Sequence, residues 1–212
     1  MRTITRTTKA VLATGFLVAS VGAIATATTA SANSGDLTAN LRPVALSGVD
    51  GGGTALVSVR GTRIEVTMTA SGLLADAPHA AHIHFGATAR HECPRAGDDT
   101  DGSGTLNTTE GGPAYGPVVV SLTTTGDTSP ASTLAIDRFD TAPGGHLTYQ
   151  RGHIKVSQNV AKAITRGEAV VVIHGADHNH SGAYDGEARS ELAPSLPTEA
   201  TDPALCGVIA QN

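Results

Sequence analysis

Aromatic residues are nearly absent from this chain of 212 residues: it has no Trp, three Tyr and three Phe. That removes the stacking platforms on which single-stranded nucleic acids are held. There is no basic surplus either, with 14 Lys and Arg against 19 Asp and Glu and a net charge of −5. The electrostatic footprint of a nucleic-acid binder is therefore missing. Two cysteines exclude a disulfide-dense mini-protein, aperiodic glycines exclude a collagen-like repeat, and 40% hydrophobic content excludes a disordered polar chain. No G-x-S-x-G elbow, P-loop or Rossmann glycine fingerprint occurs. Gly51-Gly52-Gly53 reads as a flexible turn, since no helix pattern follows it. What is plentiful is Ala, Gly, Thr and Val, a composition suited to short strands joined by turns.

The first long uncharged run is N-terminal. Arg2, Arg6 and Lys9 precede an apolar and small-residue stretch over 10–27, and Ala30-Ser31-Ala32 supplies an A-x-A cleavage site. This pattern predicts a secretory signal peptide over residues 1–32, against the alternative of an uncleaved anchor helix. No second apolar run approaches the ~20 residues needed to span a bilayer. The protein is expected to be secreted, extracellular or held in the cell envelope. Cleavage would leave about 180 residues, enough for one real core, and a more acidic chain, because the leader carries basic residues only. Cys93 and Cys206, in an exported chain, are expected to form a disulfide. Closing so long a loop contributes ~4–5 kcal/mol in the chain-entropy model.

Residues 33–50 read as a polar leader or irregular first strand, and 51–212 as one domain. A hairpin is predicted over 55–68, where Ile64, Val66 and Met68 alternate with Arg63, Glu65 and Thr67. Further strands are predicted at 80–85, 118–122, 147–156 and 206–210. The continuous apolar run 169–173 predicts a central strand buried on both faces. One helix is predicted: Ser157 caps it, Val160, Ala163 and Ile164 fall at helical spacing, and Gly167 ends it. About seven short strands with one short helix indicate an all-β, antiparallel β-sandwich.

His82-Ile83-His84 carries the strongest chemical signal. On a strand, residues i and i+2 share a face. Two imidazoles then project side by side, which suits copper or zinc, while Ile83 and Phe85 point into the core. His174, at the end of the buried run, is placed to meet the pair. These residues resemble the copper/zinc superoxide dismutases and the related chordin-type (CHRD) domains. Ala81-His82-Ile83-His84 with Phe85-Gly86 and Cys93 is similar to the dismutase copper loop, where the histidine pair precedes the disulfide cysteine by the same nine positions. Val172-Ile173-His174-Gly175-Ala176-Asp177 resembles the strand carrying the last copper histidine. Cys206-Gly207-Val208-Ile209-Ala210 resembles the dismutase C-terminus. The N-terminal half equally resembles a CHRD domain.

The resemblance implies a Greek-key sandwich with long metal-binding loops. It also implies copper on His82, His84 and His174 and, as substrate, superoxide or another small molecule. The departures are specific. Asp99 stands where the family has its bridging histidine, and no histidine lies between His91 and His146 to serve zinc. Zinc is therefore not expected. His91, His146 and His153 are the candidates for a fourth copper ligand, His91 being nearest in sequence. Pro203 stands where the family places its anion-attracting arginine, and an acidic surface repels superoxide unless the field is focused locally. His178 and His180 are expected to face solvent.

Where the zinc loop would lie, residues 99–110 fit the twelve-residue calcium loop. Asp99, Asp101 and Ser103 stand at positions 1, 3 and 5, with Gly104 at the turn. Thr105 offers its carbonyl, Leu106 is the apolar anchor, and Glu110 is the bidentate ligand. Pro94 and Gly111-Gly112-Pro113 flank it, so paired helices are not expected. A weaker copy follows His174: Asp177, Asn179, Ser181, Gly182 and Asp185 fit, but Ala188 stands at position 12, so a carboxylate such as Glu187 or Glu191 must complete it. Two functions follow. One is copper-dependent superoxide dismutation without a zinc site. The other is a non-catalytic extracellular module stabilised by calcium and a disulfide.

Overall fold

The computed structural model describes residues 37–211. The leader expected over 1–32 lies outside that range. Nine strands form: β1 (Leu37–Pro43), β2 (Gly52–Arg60), β3 (Arg63–Ser71), β4 (Ala81–His84), β5 (Val118–Ser121), β6 (Leu147–Lys155), β7 (Val170–His174), β8 (Pro203–Val208) and β9 (Ala210–Gln211). Two α-helices join them, α1 (Thr108–Tyr115) and α2 (Gln158–Thr165). The strand order is β5-β4-β7-β8-β1-β2-β3-β6, with β9 also on β1, and all pairs are antiparallel.

β1 makes the corner of this curled sheet. Its residues Leu37 to Leu41 pair with β2, and Arg42 and Pro43 pair with β8. Leu37, Val57, Ile64, Val66 and Met68 from one half meet Ile83, Val120, Val171, Ile173 and Leu205 from the other in a single buried cluster. The fold is thus an all-β antiparallel sandwich. The chain crosses between halves from β3 to β4, from β5 to β6 and from β6 to β7, so that β6 lies beside β3 and β7 beside β4 in Greek-key fashion.

Side-chain period explains most of the elements. β3 buries Ile64, Val66, Met68 and Ala70 and turns Arg63, Glu65, Thr69 and Ser71 outward. α2 follows its sequence signals: the Ser157 hydroxyl accepts from Val160 N, Val160, Ala163 and Ile164 are buried, and Gly167 takes a φ of +76° beyond the end. Two elements differ from expectation. β1 is a full strand at the centre of the sheet, and α1 forms despite two glycines and Pro113. It forms because Asn107 and Glu110 make a reciprocal capping box at its start, while Ala114 and Tyr115 are buried.

β4 and β7 are buried throughout. One face looks into the core. On the outer face Leu106 and Tyr115 pack with Val170, Val172 and Cys206, and the bond between Cys93 and Cys206 holds that layer to β8. No helix among the described residues is long and apolar enough to cross a membrane.

Candidate metal centre

β4 and β7 are neighbours in antiparallel register, with His82 opposite Val172 and Ala81 opposite Ile173. His82 and His84 leave β4 on its outer face, and His174 ends β7 beside them. The three ring centroids lie 5.7, 5.0 and 5.8 Å apart, and one nitrogen from each ring falls within 4.8 Å of the others.

Backbone carbonyls set each ring. His82 Nε2 donates to Thr133 O at 3.2 Å, His84 Nδ1 to Gly116 O at 2.8 Å, and His174 Nδ1 to Thr201 O at 2.6 Å. A carbonyl oxygen only accepts, so those nitrogens carry the proton and the tautomer is fixed. The other three nitrogens, His82 Nδ1, His84 Nε2 and His174 Nε2, are buried lone pairs without a partner. Leaving a buried polar atom unpaired costs about 1–3 kcal/mol. Three such atoms within reach of one another could hold a metal ion, and their rings carry the kind of orienting hydrogen bonds that metal-binding histidines use.

Electrostatics keep the rings neutral. Burial, then repulsion from His174 and His84, holds His82 well below its ordinary range. Burial and His174 bring His84 to about 3, and burial brings His174 to about 4. A neutral imidazole is the form that ligates. The Tyr115 ring packs against His84 with centroids 4.4 Å apart, and Phe139 meets His82 edge-on.

His91 does not join the cluster. It stacks on Phe85 with Nε2 on Gly86 O at 2.8 Å, in a left-handed backbone conformation. The cluster among the described residues therefore contains three histidines and no fourth. His146 and His153 are exposed, as is His180. His178, expected at the surface, is instead half-buried, with Nε2 2.9 Å from Asp202 Oδ2. Sequence reasoning also missed His79. It is buried, with Nδ1 2.8 Å from His174 O and Nε2 3.1 Å from Leu74 O, so it props the backbone of a cluster residue. Its place three residues before His82 was the available signal.

In the first acidic loop, Asp99, Asp101 and Glu110 bring carboxylate oxygens within 4.8 Å of one another. Asp99 accepts from the backbone N–H of Gly102, Ser103 and Gly104, and Asp101 accepts from Ser103 N. Glu110 accepts from Thr100 N, Asp101 N and Asn107 N. Ser103 Oγ faces Thr105.

The second loop repeats the pattern. Asp177 accepts from Ser181 N and Gly182 N, Asn179 from Ser181 N, and Ser181 Oγ donates to Asp185. Glu191 accepts from Thr109 N. Buried Glu199 stands in the place of Glu110: it accepts from His178 N, one residue into the loop, as Glu110 does from Thr100 N, and also from Asp185 N and Gly186 N.

No protein-family model matches the chain, and no curated protein matches it. Among solved structures it is similar to a single-site mutant of superoxide dismutase 5 of Candida albicans, at 16% identity and a TM-score of 0.41. That match covers 84% of this chain and 92% of the other. Neither the dismutase nor the CHRD family is thereby assigned.

Proposed function

We propose that this chain is an exported copper protein that dismutates superoxide at His82, His84 and His174 without a zinc site. The observation that carries the reading is the convergence of three unpaired, buried ring nitrogens whose tautomers are fixed by backbone carbonyls. The residue pattern around them, from the His-x-His pair to the paired cysteines, supports copper over zinc by resemblance to the dismutases. Bound copper would supply a one-electron couple, which oxidises one superoxide to dioxygen and reduces a second, with two protons from water, to peroxide.

The chain's own residues hold and shield. β4 and β7 place the rings on adjacent paired strands, a rigid frame. Thr133, Gly116 and Thr201 keep a lone pair on each ring aimed inward. Burial keeps the rings unprotonated at neutral pH. Three protein ligands rather than four leave a coordination position for a small molecule.

Calcium has a structural part in this proposal. Asp99, Asp101, Ser103, Thr105 and Glu110 offer hard oxygen ligands, and three carboxylates so close repel one another unless a cation sits among them. Asp177, Asn179, Ser181 and Asp185, with Glu199, form the second candidate loop.

Copper stoichiometry of the disulfide-bonded protein, beside an H82A/H84A variant, tests the reading. One tightly held copper in the parent and none in the variant is the expected result, and superoxide turnover follows as the second measurement. Absence of specific copper from both would overturn the enzyme and leave an extracellular module stapled by calcium and a disulfide.

A further inference from the structure

Among the described residues no Lys or Arg lines the pocket beside the histidine cluster. A row of cations stands instead on the outer face of β2, β3 and β6. Arg60 lies directly opposite Arg63, and Arg63 directly opposite Lys155. Residues so paired share a face, with Cβ atoms about 4.5–5.5 Å apart. All three are exposed, while Ile64 and Ile154 beside them turn into the core. The ion pairs among the described residues are made by Arg90, Arg95 and His178, so none neutralises this row. Like charges directly opposite one another repel. The row therefore concentrates positive charge in a chain whose net charge is −5.

A groove adjoins the row, with Ser58, Arg60, Arg63, Glu65 and His153 among its lining residues. His153 reaches it through a bulge. Val66 pairs with Arg151 and Ile64 with Ile154, so that Gly152 and His153 both stand against Glu65. His153 is exposed and takes a φ of +59°, in the left-handed region. A bulge re-aims a side chain, here at a cost in backbone strain. The groove thus offers two kinds of group. The guanidinium groups donate to an anion, while the Glu65 carboxylate and the Ser58 hydroxyl accept from neutral hydroxyls. The exposed large hydrophobics among the described residues are Leu46, Leu134 and Leu192, and none belongs to these strands. Nothing on this face would insert into a lipid surface.

We propose that this face docks an acidic polysaccharide, a polymer that carries carboxylates and hydroxyls together. Arg60, Arg63 and Lys155 take the carboxylates, and Glu65 and Ser58 take the hydroxyls. Charge complementarity selects an anionic partner. Glu65 selects one that also brings hydroxyls, because a polymer of anions alone would only be repelled by it. The surface needs no metal at the histidines.

Calorimetric titration of the disulfide-bonded protein with polygalacturonate, neutral dextran and inorganic polyphosphate tests the proposal. The parent should bind polygalacturonate and not dextran, with an affinity that falls as salt is added. R60Q/R63Q should weaken that binding about tenfold at low salt, since each exposed ion contact is worth a factor of a few. R42Q/R189Q, which removes the same charge from exposed positions elsewhere, should leave it almost unchanged. The thermal midpoint of R60Q/R63Q should not fall, because the substitutions relieve repulsion, so lost binding is not lost fold. E65A should weaken binding of polygalacturonate and strengthen binding of polyphosphate. Failure of the parent to bind polygalacturonate overturns the proposal. So does an equal loss in the two double variants, which would make net charge the whole cause. E65A binding both polymers more tightly also overturns it, because the face would then read charge and no sugar.

Discussion

Acid should destabilise the metal-free protein well before its carboxylates titrate. In an unfolded chain histidine has a pKa of about 6.5. In the folded chain burial keeps His84 at about 3 and His174 at about 4, and burial with repulsion from its two neighbours keeps His82 well below its ordinary value. Groups with depressed pKa values bind fewer protons folded than unfolded, so stability is full above pH 6.5 and falls as the pH drops. From pH 7 to pH 5 His84 and His174 each cost about 2 kcal/mol, together about 4 kcal/mol, and His82 adds in the same direction. That is comparable with the whole stability of a domain, about 5–15 kcal/mol. His79, lowered by burial, adds in the same direction. His178 opposes it: burial works against its charge, but the Asp202 carboxylate carries its pKa above the ordinary value, so its contribution is complete below pH 6.5. Urea unfolding of chelator-treated protein at pH 7, 6 and 5 checks this. The midpoint should fall steeply with an unchanged slope, and H174Q should remove about 2 kcal/mol or more of the pH effect, since His174 also depresses its two neighbours. A midpoint that stays level to pH 5 would refute the reasoning, because the buried rings would then not be neutral.

Calcium should stabilise the parent more than E110Q, which keeps only the second loop. At 100 times its dissociation constant a ligand adds about 2.7 kcal/mol, read as a rise in the thermal midpoint. An equal rise in both proteins would place the ion elsewhere. Superoxide turnover, if present, should quicken with added salt. The wall of the pocket offers no cation to draw the anion in, and the chain is acidic overall, so screening removes repulsion rather than attraction. A rate that falls with salt, measured by stopped flow, would reveal a steering cation.

Local patterns were legible. His82 and His84 share a face because the strand period is two, and His174 ends an apolar run whose burial the sequence announces. The acidic loops were legible because Asp99 to Glu110 and Asp177 to Asp185 each lie within twelve residues. The first strand had a signal as well, since Leu37, Ala39 and Leu41 alternate with Thr38 and Asn40, but neighbouring Gly and Ser masked it. What could not be read is whatever the fold brings from a distance or takes from the backbone. Glu199 serves a loop that begins at Asp177, and His79 reaches the carbonyl of His174. The atoms that orient the rings are carbonyl oxygens of Thr133, Gly116 and Thr201, which any residue could supply. α1 shows why this matters. Its first turn contains Glu110, which closes the acidic loop, and beyond its last turn Gly116 O holds His84 while Tyr115 packs on the same ring. One eight-residue helix thus joins two clusters that the sequence presents as separate, so the placement of Glu110 and the orientation of His84 are set at opposite ends of the same element.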